Sequence, residues 1–433
     1  MEGSALAADH DPVVYHCPGE SHAIDRAVHL GRLAAFYPPC RDCLHRDDTG
    51  SLSPLQIRQW AEVDRRVRRG PRFTAEGLES TSPHDVDRSV VRRFAAAVGM
   101  FLLRDRGNLP PPTVLVGTDG HWTTADLVAA ACEALQFSGC RTLEVGAVTS
   151  ASLAAAAHRL QTDAALLVGN ATGEPHSIGL KLWGTGARPW SSPGHLDRVR
   201  ELYESNGDRP KRRGGGMERA SAGEMYLAPL EPLFHGLRPL RFVLDTRCEP
   251  LLHYLHQLNL QAACEVLRPR GSLLGGSVGA ADKPFVEGRL NAISQQLVGD
   301  AAHFGFWIDG DGERCHLVDE RGAVVAGETL FLALASYICR QQPGAVLVLE
   351  REGSEKVERA LARLGARTLR AEATRQATSH AIHRCGAVFG GGPSGRFWYA
   401  GDTAAPDALL TLSLLLVILS QSDRPLSEVL DAA

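Results

Sequence analysis

Three things are missing from this sequence, and each removes a class of function. Charge of one sign is the first: 46 Lys and Arg stand against 50 Asp and Glu, a formal net charge of −4 over 433 residues. That balance gives no electrostatic case for binding nucleic acid or an anionic membrane surface. The short basic runs Arg65 to Arg72 and Lys211 to Arg213 read as solvated surface. A long hydrophobic run is the second absence. The best candidate, Ala408 to Leu419, is broken by Thr411 and Ser413 and falls short of the roughly 20 residues a membrane span needs; it reads as a buried helix. The third is a secretory leader, since Met1 to Asp11 is polar and acidic, so a cytoplasmic location is expected. In that setting ten cysteines read as thiols or metal ligands rather than a disulfide framework.

What is present describes an ordinary folded protein. Hydrophobic residues make up 44% and charged residues 22%, and the length suits two to four domains. Residues 1–50 are rich in Cys and His and lack a strand–helix rhythm. Leu55 to Arg69 reads as an amphipathic helix ending at Gly70-Pro71. From there strands and helices alternate: helix Arg88 to Arg104, strand Thr113 to Gly117, helix Thr124 to Gly139, strand Arg141 to Val145, helix Ser150 to Leu160 and strand Ala164 to Val168. Such alternation predicts parallel βαβ units. Asn206 to Ser221, with its Gly-Gly-Gly run, reads as a linker. Two further α/β runs follow, with strands at Arg241 to Asp245, Ala263 to Leu267, His303 to Ile308, Ala345 to Leu349 and Thr368 to Ala371, and helices at Glu328 to Arg340, Lys356 to Leu364 and Ala377 to Cys385.

The most specific chemistry lies in Ile308-Asp309-Gly310-Asp311-Gly312-Glu313-Arg314. Carboxylates at alternate positions, separated by glycines and placed after an apolar strand, can converge on one hard divalent cation. Asp309, Asp311 and Glu313 are therefore the expected Mg²⁺ ligands. At the other end of the chain, Cys17, His22, Cys40 and Cys43 form a Cys-x4-His…Cys-x2-Cys set. Tetrahedral Zn²⁺ takes four N/S ligands at such spacings, and a metal would staple a segment too short to build its own core. His29 and His45 compete with His22 for the fourth place. Acidic residues in this module offset its arginines, so a docking surface for protein is expected before one for nucleic acid.

The carboxylate loop, together with Val168-Gly169-Asn170-Ala171-Thr172-Gly173-Glu174-Pro175-His176-Ser177-Ile178-Gly179-Leu180-Lys181, resembles the α-D-phosphohexomutases, the phosphoglucomutase/phosphomannomutase family of carbohydrate metabolism. In that family the second segment reads roughly T-A-S-H-N-P-x-x-x-N-G-x-K, and its serine carries the transferred phosphoryl group; here Ala171 stands in the serine's place. The D-G-D-x-D metal loop survives as Asp309, Asp311 and Glu313, and the resemblance implies Mg²⁺ there. It further implies substrate contacts from Lys181, Arg314, Ser394, Gly395 and Arg396. Elsewhere the pattern departs. Glu76 occupies the place of an active-site arginine, and a carboxylate there would repel phosphate. His121 closes a Gly117-Thr118-Asp119 motif that should end in arginine, Gly392 replaces a sugar-binding glutamate, and a Gly-x-Lys is missing near Arg375-Gln376.

The expected fold is thus α/β: three consecutive α/β/α domains with mixed sheets (51–205, 222–325 and 326–433) behind a zinc-binding module (1–50), with no counterpart of the family's fourth domain. The expected function is a phosphohexomutase-like protein that binds a divalent metal and a sugar phosphate but is catalytically degenerate. Two alternatives stand beside it. One is an active mutase, an isomerase by intramolecular phosphoryl transfer, using a displaced hydroxyl such as Thr172 or Ser177. That route is hard, because phosphoryl transfer depends on positioning and losing a nucleophile costs on the order of a millionfold. The other is a non-enzymatic scaffold in a complex.

Overall fold

The computed structural model describes residues 14–16, 22–35, 37, 40, 43–68, 71–80, 85–104, 109–121, 123–169, 177–205, 215–260, 262–270 and 285–431, with backbone alone for 62–68 and 285. The chain divides into two units, Met1–Gly70 and Pro71–Ala433. The first holds helices α1 (Arg26–Ala34) and α2 (Pro54–Arg68). Its small core joins Leu33, Cys40 and Trp60, so the helix read from Leu55 onward belongs to this unit and the boundary moves from residue 50 to residue 70. The Tyr15 ring stacks on His29 at 4.1 Å, while Tyr15 donates to Asp48 Oδ2 at 2.6 Å.

The second unit contains three sheets. The first carries strands β1 (Arg72–Phe73), β2 (Gly77–Ser80), β3 (Thr113–Thr118), β4 (Arg141–Ala147), β5 (Ala164–Gly169), β6 (Ile178–Gly184), β7 (Arg188–Pro189) and β8 (Met217–Arg219). Their order is β1-β2-β6-β5-β3-β4-β8, with β7 on β6. Successive side chains of a strand face opposite ways. Val114 and Val116 accordingly pack under α3 (Arg88–Leu103), α4 (Thr124–Ser138) and α6 (His195–Glu204), and Leu115 packs under α5 (Ser150–Arg159). The stretch read as a linker after Asn206 thus includes an edge strand: β8 runs parallel to β4, with Thr142 facing Met217.

The second and third sheets share one plan. Helix α7 (Gly223–Leu227) leads into β9 (Arg241–Thr246), α8 (Glu249–Asn259), β10 (Glu265–Leu267), α9 (Phe285–Asp300), β11 (Phe304–Ile308), β12 (Cys315–Val318) and β13 (Val324–Val325), ordered β10-β9-β11-β12-β13. Then come α10 (Gly327–Gln341), β14 (Val346–Glu350), α11 (Glu355–Arg363), β15 (Arg367–Ala371), α12 (Arg375–Cys385), β16 (Phe389–Gly391), β17 (Trp398–Tyr399), β18 (Ala405–Pro406), α13 (Ala408–Ser420) and α14 (Leu426–Asp431), ordered β15-β14-β16-β17-β18. In each sheet three parallel strands are followed by an antiparallel one, β12 on β11 and β17 on β16. The first sheet repeats this in β4-β3-β5-β6. One hydrophobic core runs from Phe242, Phe304 and Phe306 through Phe331, Leu347 and Phe389 to Leu412. Among the described residues no helix is long and apolar enough to cross a membrane.

Candidate functional site

The repeated plan puts the connection from the third parallel strand to the antiparallel strand at the carboxyl end of the sheet, residues 309–314 in the second domain and 392–397 in the third; the corresponding segment of the first domain, 170–176, lies outside the described residues. Ala171 and Thr172 lie outside the described residues, as does Cys17. Lys181, a few residues along on β6, is described and only 3% exposed.

The central loop is pinned from all sides. Asp309 Oδ1 accepts the Glu313 amide at 2.8 Å. The Ser150 amide, at the start of α5, donates to the Asp311 carbonyl at 2.9 Å, and the Ala408 amide, at the start of α13, donates to the Gly312 carbonyl at 3.0 Å. Helix N-termini supply such unpaired amides. Arg314 forms an antiparallel bridge with Arg396, and the Cys315 amide donates to the Gly395 carbonyl at 3.0 Å. Gly395 sits at φ +75°, where a Cβ would lie 2.6 Å from the Cys315 carbonyl oxygen, so only glycine closes this junction without strain.

Around this backbone the charges interlock. Lys181 Nζ donates to Asp311 Oδ2 and lies 3.3 Å from Glu313 Oε2. Arg375 Nε lies 3.1 Å from Glu313 Oε1, and its guanidinium stacks on the Trp183 ring at 4.3 Å. An Arg396 nitrogen lies 3.0 Å from Glu313 Oε2, and the same guanidinium holds Glu76 by two bonds of 2.5 Å. Asp309, Asp311, Glu313, Lys181, Arg375 and Arg396 are all buried. The contacts of Glu313 are close but not aligned as hydrogen bonds, so attraction there is Coulombic.

The electrostatics follow from burial and pairing. Burial alone would push the Glu313 carboxyl up, but Lys181, Arg375 and Arg396 outweigh it and hold it below the carboxylate range. Glu76 is half-buried, which raises its carboxyl, yet Arg396 outweighs that and draws it down to about 2. Asp311 goes the other way, to about 8: burial dominates, Lys181 opposes it, and Glu313 and Asp309 reinforce it. A cavity of about 350 Å³ opens beside the network, walled by Thr74 to Glu79, Leu180, Lys181 and Arg314. Arg314 has no ion-pair partner among the described residues.

The structure brings together most of the expected residues: Asp309, Asp311, Glu313, Arg314, Lys181 and Arg396 share one site. It corrects one reading: Glu76 does not stand as a bare repulsive charge, because Arg396 neutralises it. Near the missing Gly-x-Lys, Arg375, the first residue of α12, brings a cation to Glu313. Beside Gly392, Glu350 at the end of β14 bonds the Ser394 hydroxyl and amide, and a Cβ at Gly392 would lie 2.8 Å from Glu350 Cβ. Ser394 and Gly395 therefore serve the loop's own structure. His121 bonds Thr123. Ser177 is buried.

In the first unit Cys40 and Cys43 are both buried thiols, and burial, then Cys43, raises the Cys40 thiol. His29 Nε2 pairs with the Asp48 carbonyl at 2.9 Å. Among the described residues, no group of three or more His, Cys, Asp or Glu side chains is arranged to hold a metal ion. The zinc set with His22 is therefore not assembled by the residues described, and the zinc expectation rests on spacing alone.

Such a charged cleft on three like-built α/β domains defines a phosphohexomutase scaffold, and comparison with known proteins agrees. Residues 70–208 match phosphoglucomutase/phosphomannomutase, alpha/beta/alpha domain I, and residues 326–433 match its alpha/beta/alpha domain III. Together these matches span more than half of the chain. A probable phosphoglucosamine mutase of Methanosarcina acetivorans is 25% identical over 349 residues, covering 79% of this chain and 76% of the relative. The phosphomannomutase of Escherichia coli (strain K12) is 21% identical over 366 residues, covering 82% and 79%. In structure, a phosphoglucomutase/phosphomannomutase family protein from Burkholderia thailandensis superposes with TM-score 0.71 at 21% identity, covering 83% of this chain and 79% of that one. A putative phosphomannomutase from Thermus thermophilus gives 0.69 at 19% identity, covering 84% and 83%. The chain belongs to the α-D-phosphohexomutase family.

The family implies Mg²⁺ at the carboxylate loop, and the donors present fit it poorly. Asp309 Oδ2 and Asp311 Oδ1 are buried and without hydrogen-bond partner, as an ion's ligands would be. Glu313, the third carboxylate, faces Lys181, Arg375 and Arg396 with its two oxygens. Only two of the three carboxylates the resemblance assigns to the ion thus keep an oxygen for it, and water or substrate would have to supply the rest of its octahedral shell.

Proposed function

We propose that this chain binds a hexose phosphate in the cleft beside Arg314 and does not turn it over as a mutase. The observation that carries the binding half is the cavity walled by Lys181 and Arg314. Arg314, unlike its neighbours Arg375 and Arg396, has no carboxylate partner among the described residues, which supports a phosphate as its partner. Glu79, in the same lining, suits a sugar hydroxyl. The second half rests on Ala171, which has no atom that can carry a phosphoryl group at the position the family's resemblance assigns to the nucleophile.

Calorimetry with glucose 1-phosphate, mannose 1-phosphate and glucosamine 6-phosphate tests the first half. Saturable binding of at least one is expected, weakened about tenfold or more in Arg314→Ala, since a charge-assisted bond is worth roughly 1.5–3 kcal/mol. Absence of any binding would return the chain to the scaffold reading. Incubation with a bisphosphate activator tests the second half: no isomerised product is expected, and turnover abolished by Thr172→Ala or Ser177→Ala would overturn it.

A further inference from the structure

The geometry points to the Lys181 ammonium as the counter-ion of the Asp309–Glu313 loop, filling the place of a divalent cation, so that a phosphate monoester is taken without Mg²⁺. The ligand part of this inference rests on the hexose phosphate reading above; the counter-ion part stands on its own observations.

Lys181 Nζ bridges Asp311 and Glu313, which is the position an ion shared by those carboxylates would need. Its side chain is 3% exposed and theirs are 1% and 0% exposed. Charge balance argues the same way. The carboxylates of the network are Glu76, Asp309, Asp311 and Glu313, and its cations are Lys181, Arg314, Arg375 and Arg396. Counted as formal charges, four cations already face four carboxylates. A divalent ion would add further positive charge to a buried site, where unpaired charge is strongly disfavoured. An ion shared by all three prospective ligands would also have to displace Lys181, because the ammonium occupies the gap between Asp311 Oδ2 and Glu313 Oε2. Arg375 and Arg396 close the remaining approach to Glu313.

Paramagnetic Mn²⁺, read by electron spin resonance, reports binding directly on the full chain. The wild-type protein is expected to show no saturable Mn²⁺ site up to about 1 mM, and its melting temperature should be indifferent to Mg²⁺, since only a ligand that binds the folded state raises it. Lys181→Met keeps the length of the side chain, removes the ammonium and leaves the two carboxylates facing an empty gap. This variant is expected to melt lower than wild type and to recover stability on adding Mn²⁺, with about one Mn²⁺ bound per chain. Saturable Mn²⁺ binding by the wild type overturns the inference, and so does a folded Lys181→Met that gains no Mn²⁺ site. If Lys181→Met fails to fold without metal, the wild-type titration still decides. Hexose phosphate binding is measured in EDTA and in Mg²⁺. Equal affinity in both supports metal-free capture, and a requirement for Mg²⁺ refutes it. Binding in neither defeats the ligand reading alone and leaves the Mn²⁺ result to judge the counter-ion.

Discussion

Glu76 shows how a single residue's meaning changes with its partner. In sequence it is an acid where a cation is expected. In the fold it meets Arg396, 320 residues away, and the two loops exchange charge between them. Its folded carboxyl is drawn to about 2, from an ordinary 4.5. A depressed carboxylate contributes stability that is present above the unfolded value and lost as pH falls through the folded one. The protein should therefore lose stability between about pH 4.5 and 2, and Glu76→Gln should flatten that part of the melting-temperature profile. An unchanged acid limb in Glu76→Gln would show that Glu76 does not carry it. The reverse partner is costlier to lose. Arg396→Ala strips a buried counter-charge from Glu313 and Glu76, and breaking such a pair costs about 3–5 kcal/mol, measurable by urea unfolding at pH 7.

At the scale of elements, the helix starts hold the site as much as the strands do. Thr149 caps α5 in a reciprocal capping box with Ser152, and the next residue, Ser150, holds the Asp311 carbonyl and approaches its carboxylate at 3.3 Å. Thr149→Ala should cost about 1 kcal/mol in chemical denaturation and disturb the loop with it. Much of this level was legible in the sequence. The alternation of strands and helices, the apolar run into Asp309 and the buried reading of Ala408 to Leu419 all follow from local periodicity. The short strand at Phe397 to Tyr399 was legible too and is β17; the antiparallel strands β6 and β12 were not, because what places them is pairing with distant partners rather than a pattern of their own. Arg375 escaped for a related reason: helix α12 begins two residues earlier than its apolar pattern suggests, and its first residue points into the core of the site. Glu350 was invisible because it acts on Ser394 from another strand.

For the second unit as a whole, the same strand order recurs three times, and the loops of the second and third repeats meet at the bridge between Arg314 and Arg396. The sequence carried the loops one by one through their resemblance to a known family, but not the charge network that ties them together, since ion pairs between residues hundreds of positions apart leave no mark in one chain. That network joins β6, the loop after β11 and the start of α12, with Arg375 held between Glu313 and Trp183. Arg375→Ala should therefore weaken the unit cooperatively, by about 3–5 kcal/mol, with one unfolding transition of the unit seen by both tryptophan fluorescence and circular dichroism. Separate transitions would show that the network does not couple the three sheets.

The central claim is that the family's scaffold is kept here without a residue able to accept the phosphoryl group. Intact-mass analysis after incubation with glucose 1,6-bisphosphate tests it most directly. The account predicts a mass equal to that of the untreated chain. A gain of one phosphoryl group, mapped to the segment between Gly169 and Ile178, would contradict it.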